Sequence, residues 1–120
     1  MGDLSKNFSR SEFECRCGCG MRVIDAELVK VLEEVREAFG GKRITITSGN
    51  RCYAHNLKIG GAENSKHTQS IAADFKVEGV NPPGVYEWID ARYPDSFGLG
   101  KYNGWTHLDV RKGKGRWDKT

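Results

Sequence analysis

The sequence predicts an α+β fold in which helices pack on a small antiparallel sheet, as a single domain over residues 1–120. Three observations predict it. Leu28, Val31, Leu32, Val35 and Phe39 recur at helical spacing. Two short runs, Arg43 to Thr47 and Ile71 to Val77, read as strands separated by a longer polar stretch. Asn103-Gly104 then joins Phe97–Tyr102 to Trp105–Arg111, which predicts a β-hairpin through a type I′ turn.

Each element has a local cause. Ser9-Arg10-Ser11-Glu12 has the form of a capping box, so a short helix should start near Ser9. The Cys/Gly stretch after it reads as loop. Asp25 reads as the N-cap of the main helix, and Gly40-Gly41 as its stop. In the first strand Ile44 and Ile46 share a face. Ser48 to Ser70 shows no sustained period and reads as a long irregular connection, the kind of loop that in a small domain usually carries function. Asn81-Pro82-Pro83 opens a helix with Val85, Trp88 and Ile89 on one side, ending near Tyr93-Pro94. The stretch from Arg111 to Arg116 reads as a solvated C-terminal tail.

Composition narrows the function classes. Hydrophobic residues are 38% and charged residues 29% of the chain, which excludes wholesale disorder. No apolar run approaches the ~20 residues of a membrane-spanning helix, so no membrane insertion is expected. The first residues lack the apolar core of a classical signal peptide, and synthesis in the cytoplasm is expected. A net charge of +3 mildly favours an anionic partner such as a cell wall or a nucleic acid, and no nucleic-acid partner is expected. Cys15, Cys17, Cys19 and Cys52 read by default as reduced thiols. A disulfide from Cys52 to one of the other three is one alternative. A structural metal is another, although Cys-x-Cys-x-Cys fits the usual Cys-x2-4-Cys spacing poorly.

The hairpin carries the first chemical signal. Its register sets Gly100 opposite His107 and Gly98 opposite Asp109, with Trp105, His107, Asp109 and Arg111 on one polar face. Two strand glycines across from a histidine and an aspartate suggest a space for a ligand or metal. Asp74 sits among Ala72, Ala73, Phe75 and Val77, and a carboxylate inside such a strand needs a cation or a metal. His67 precedes it by seven residues and must approach from a loop to share its site. With His107 these form a two-histidine, one-carboxylate set, the donor number that catalytic zinc sites use while leaving a position open.

The spaced motifs then become specific. Ser48-Gly49-Asn50-Arg51, His55-Asn56, Gly60-Gly61-Ala62 and Ser65-Lys66-His67 through Asp74 resemble the signature of the zinc D-Ala-D-Ala carboxypeptidase and murein endopeptidase family. Gly98 to Tyr102, His107 to Arg111 and Trp117 are similar to the C-terminal motif of its small phage- and prophage-associated members, and the opening through Cys19 is similar to theirs as well. The resemblance implies a hedgehog-like α+β fold and one catalytic Zn²⁺ held by His67, Asp74 and His107. It implies hydrolysis of peptide bonds beside D-amino acids in peptidoglycan stem peptides, as a carboxypeptidase or an endolysin-like endopeptidase. Arg51 matches the arginine that binds substrate and stabilises the oxyanion, and Ser65 the serine near the first ligand.

Tyr102 and His55 are further candidates for substrate contact, and a monomer is expected. Two departures stand out. Ser70 occupies a place that is usually glycine. Gly104 and Trp105 stand where better-studied members carry a Glu or His as general base. Asp109 is then the candidate either for that base or for orienting a ligand imidazole, with His55 its rival as base. The missing group also raises a second reading, a zinc-containing but non-catalytic wall-binding or phage structural module.

Overall fold

A computed structural model describes residues 2–61 and 65–120. Of the motifs above, Ala62 lies outside the described residues. The elements run α1 (Ala26–Ala38), β1 (Ile44–Ser48), α2 (Tyr53–Lys58), β2 (Ala72–Val77), α3 (Pro82–Arg92), β3 (Phe97–Lys101), β4 (Thr106–Asp109) and β5 (Lys114–Asp118), with 3-10 turns at Arg10–Phe13 and Lys66–Gln69. The architecture is α+β, as expected, with one sheet in the order β1-β2-β4-β3-β5.

Local chemistry explains most boundaries. Asp25 caps α1 by accepting the Glu27 N–H at 2.8 Å. The helix buries Leu28, Val31, Leu32 and Val35 against the sheet and ends before Gly40 and Gly41, both at positive φ. Pro82 sits in the first turn of α3, which buries Val85 and Ile89. The Glu12 carboxylate accepts the Ser9 N–H at 2.7 Å, so the capping pattern is used, but on a single 3-10 turn. That turn brings Phe13 next to Phe8 at the floor of the core.

The core face of the sheet carries Ile44, Ile46, Ala73, Phe75, Val77, Leu99 and Leu108. The opposite face follows from the register. Asp74 pairs with Ser48 and His107, His107 with Gly100, and Gly100 with Trp117. One row of residues thus crosses all five strands, and its side chains share one face. A register shift between Ile46 and Ser48 puts an extra residue in β1. Such a bulge sharpens the local twist and turns the chain that follows, here toward Gly49, Asn50 and Arg51.

The structure corrects four expectations. The sheet is mixed, because β5 runs parallel to β3. Lys114 to Arg116 of the stretch expected to be a solvated tail therefore belong to a strand. Arg116 anchors it through an ion pair to Asp90 at 2.7 Å and donates to the carbonyls of Tyr93, Ser96 and Phe97. The connection from Ser48 to Ser70 contains α2, whose N-cap is the sulfur of Cys52, an unusual residue in that role. The hairpin register is as predicted, but neither Asn103 nor Gly104 has the positive φ of a type I′ turn. Pairing stops at Lys101–Thr106, and Tyr102 stacks on Trp105 with ring centroids 4.5 Å apart and planes at 16°. That stacking closes a four-residue loop where the dipeptide alone predicts two.

Candidate metal centre

Three donors converge on the polar face of the sheet. Asp74 comes from β2, His107 from its paired position on β4, and His67 from the 3-10 turn just before β2. Their ligand atoms lie within 4.8 Å of one another. His67 Nε2 is 3.4 Å from Asp74 Oδ2, and His107 Nδ1 is 2.8 Å from Asp74 Oδ1.

The remaining imidazole nitrogens are committed elsewhere. His67 Nδ1 donates to the Gly49 carbonyl at 2.7 Å, leaving Nε2 as the free donor atom. This requires the Gly49 backbone to lie close by. A Cβ there would stand 2.6 Å from Phe13 Cα, so only glycine lets the strand exit pass over the 3-10 turn. His107 Nε2 faces Asp109 Oδ2 at 2.8 Å. Histidine ligands of metals use their second nitrogen in this way, toward a carbonyl or a carboxylate. The chemistry of the set therefore fits a divalent zinc-like ion, held through His67 Nε2, an Asp74 oxygen and His107 Nδ1.

Electrostatics follow from burial and charge. Burial alone would raise the Asp74 pKa, but hydrogen bonds from His107 and His67 outweigh it and hold the carboxyl well below the usual carboxylate range. Burial likewise opposes the charged form of His107, and the carboxylates of Asp109 and Asp74 reverse the balance, so its pKa is raised. Asp109 is fully buried, and Arg111 and His107 together hold its carboxyl down. Arg111 grips it with two bonds of 2.7 Å, from Nε to Oδ1 and from Nη2 to Oδ2. Arg111 thus engages both oxygens of Asp109, one of which also faces His107.

The two strand glycines have a different cause from the one expected. A Cβ on Gly98 would collide with the Asp109 carboxylate and Arg111 Nε, and one on Gly100 with the Trp117 indole and the Tyr102 ring. The space across from His107 and Asp109 is filled by the chain's own side chains. The glycines let the Asp109–Arg111 pair and Trp117 pack against the histidine.

A cavity of about 730 Å³ opens beside the donors, lined among others by Arg51, Ser65, Lys66, Tyr102 and Trp117. Arg51 is fixed by Ser48 Oγ at 3.3 Å, Asn56 Oδ1 at 3.3 Å and Asp74 Oδ2 at 3.5 Å. Ser65 is buried, and its hydroxyl accepts the His67 N–H at 3.2 Å, capping the turn that carries the ligand. The Tyr102 hydroxyl accepts from Trp117 Nε1 at 2.8 Å. His55 lies on α2 and is not among the residues lining the cavity. The sequence places Arg111 and Trp117 in the C-terminal motif without showing their contacts: the Trp117 ring packs 5.0 Å from His107, and Arg111 lies 5.3 Å above that indole. Their signal was the two glycines, which mark where large side chains must pass. A second depression, about 820 Å³, lies over Ser5, Asn7 and Glu33, far in sequence from the donors and holding no such set.

The model of the Peptidase M15 family matches residues 6–109. The chain belongs to the Peptidase M15 family. Membership points to a zinc-dependent metallopeptidase, in keeping with the resemblance of the motifs, and the His67–Asp74–His107 group lies within the matched segment. Arg111 and Trp117 lie beyond its end. No curated protein matches the chain. Among the described residues, no helix of this M15 peptidase is long and apolar enough to cross a membrane.

Proposed function

We propose that this M15 peptidase hydrolyses peptide bonds next to D-amino acids in peptidoglycan stem peptides or crosslinks, as a carboxypeptidase or an endolysin-like endopeptidase. The observation that carries the reading is the donor set at the wall of a cavity lined by cations and aromatic rings: Arg51, Lys66, Arg111 and Lys119 with Tyr102, Trp105 and Trp117. Carboxylates and carbonyls of a stem peptide suit the cations, and its lactyl and alanyl methyls suit the rings. His67, Asp74 and His107 would hold one Zn²⁺, which would supply Lewis acidity and a water made nucleophilic at neutral pH.

Arg51 binds the scissile carbonyl oxygen, where negative charge develops, or the terminal carboxylate. Its guanidinium is already set in place by Ser48 and Asn56, so little reorganisation accompanies the reaction. Tyr102 accepts the Trp117 N–H and keeps its own proton for a substrate acceptor. Asp109 orients His107 rather than moving protons, because it is fully buried and faces the nitrogen turned away from Asp74. We place the enzyme's work at the cell wall, in a phage or prophage setting, as a monomer.

One observation favours the second reading. Gly104 and Trp105 cannot carry a proton, and the cavity lining among the described residues holds no carboxylate or imidazole besides the three donors. A zinc-containing wall-binding module would have this composition. Purified murein decides between them. The zinc-loaded chain is incubated with sacculi, with and without a chelator, and soluble products are read by mass spectrometry. Chelator-sensitive release of D-alanine or of cut crosslinks is expected. Retention on sacculi with no new fragment would overturn the peptidase reading in favour of the module.

A further inference from the structure

The four cysteines are far from the His–Asp–His group in role and are not used by it. Cys15, Cys17 and Cys19 belong to the loop after the first 3-10 turn, and Cys52 caps α2 from the other end of β1. The fold nevertheless brings all four sulfurs within 4.8 Å of one another. Cys15 and Cys17 sulfurs are 3.4 Å apart, and those of Cys17 and Cys52 are 3.5 Å apart. Four sulfurs on a tetrahedron with Zn–S bonds of about 2.3 Å lie about 3.8 Å from one another. A disulfide joins sulfurs in pairs and would have no use for a fourfold cluster.

Two further observations point to thiolates. The Cys52 N–H is aimed at Cys15 Sγ and the His55 N–H at Cys52 Sγ, both at 3.4 Å. Amides directed at sulfur are the outer contacts that metal-bound thiolates use. The loop itself is shaped for convergence. Gly18 and Gly20 both adopt left-handed φ, +84° and +86°, and the Cys15 N–H is held by the Met21 carbonyl at 2.8 Å. The loop therefore folds back on itself, and the alternating cysteines meet although their spacing is not the usual one for a metal knuckle.

We propose that Cys15, Cys17, Cys19 and Cys52 form a second metal site, a closed four-thiolate zinc centre that is structural. All four positions are filled by protein, so the ion has no open position for chemistry. The centre ties the N-terminal loop to the residue after Arg51. That arginine lines the cavity, and its N–H donates to the carbonyl of His67 at 3.1 Å, so the clamp braces the approach to the first site.

The test is metal stoichiometry of the full chain purified under reducing conditions. Elemental analysis should give two zinc ions per chain. Cys17→Ser and Cys19→Ser, both exposed positions, should each lower the count to one, whereas His67→Ala should lose the other ion and keep this one. The two arms separate failure of the cysteine site from failure of the peptidase site. Should the cysteine variants not fold, the parent chain still answers. Titration with an organomercurial should release one zinc, and cobalt reconstitution should give an intense thiolate charge-transfer band. A single zinc that the mercurial leaves in place would overturn the site. So would a mass short of two hydrogens per cystine in chain released without reductant and alkylated at lysis. Iron in place of zinc would overturn the choice of metal.

Discussion

At the scale of single residues, Ser70 shows how a backbone angle constrains a motif. It ends the His67 turn in the left-handed region, φ 61° and ψ 26°, and its carbonyl accepts the Asp25 N–H at 3.0 Å. A side chain there costs about 1–2 kcal/mol that glycine avoids, partly offset by glycine's greater freedom in the unfolded chain. Ser70→Gly should therefore stabilise by ~0.5–1 kcal/mol with zinc content unchanged, read by denaturant unfolding and metal analysis. Asp109 makes the second prediction. Asp109→Asn should weaken zinc binding ~10–100-fold in a chelator competition while activity per bound zinc stays within a few-fold. Full zinc affinity with turnover abolished would instead make Asp109 the base.

At the scale of elements, side chains far apart in sequence pin segments that have little intrinsic order. The N-terminal segment is held by Glu33 of α1, which accepts from Ser5 Oγ, the Asn7 N–H and Asn7 Nδ2. Burial opposes this charge, but the bonds from Ser5 and Asn7 prevail, so the carboxyl titrates below its ordinary value. Its contribution is thus fully present above the unfolded pKa of about 4.3 and is lost as pH falls through the lower folded value. Glu33→Gln should cost ~1–2 kcal/mol at neutral pH, with the difference from the parent shrinking in acid. The strand β5 depends in the same way on Arg116. Arg116→Ala removes the Asp90 pair and the guanidinium bonds to four backbone carbonyls, those of Tyr93, Ser96, Phe97 and Gly115, and should destabilise by ~2–3 kcal/mol in equilibrium unfolding.

At the scale of the whole molecule, the sheet needs more chain than the family match covers. The match ends at Asp109, yet the row that carries Asp74 and His107 continues to Trp117 on β5. Without β5, the edge of β3 is unpaired and Gly100 faces empty space beside His107. A chain truncated after Val110 should lose cooperative thermal unfolding in circular dichroism and fail to retain zinc at the His67 site. A truncated chain that melts like the parent would show β5 to be an accessory.

What the sequence determined by itself is local or regularly spaced. The Asp25 cap, the helical period of α1, the proline start of α3 and the β3–β4 register all follow from neighbours within a few residues, whose effects do not need the rest of the fold. The His67–Asp74–His107 group was legible as well, through an aspartate in an apolar strand and the resemblance of its motifs to those of a zinc peptidase family. Only the tertiary structure decided the rest. The parallel pairing of β5, the helix inside the long connection and the meeting of four cysteines join residues dozens of positions apart, and no periodic pattern marks such pairs. The glycines at 98 and 100 fall between the two cases. The sequence showed that space was required there, but what fills it, Arg111 on Asp109 and Trp117 on His107, depends on a strand that pairs only once the sheet has formed.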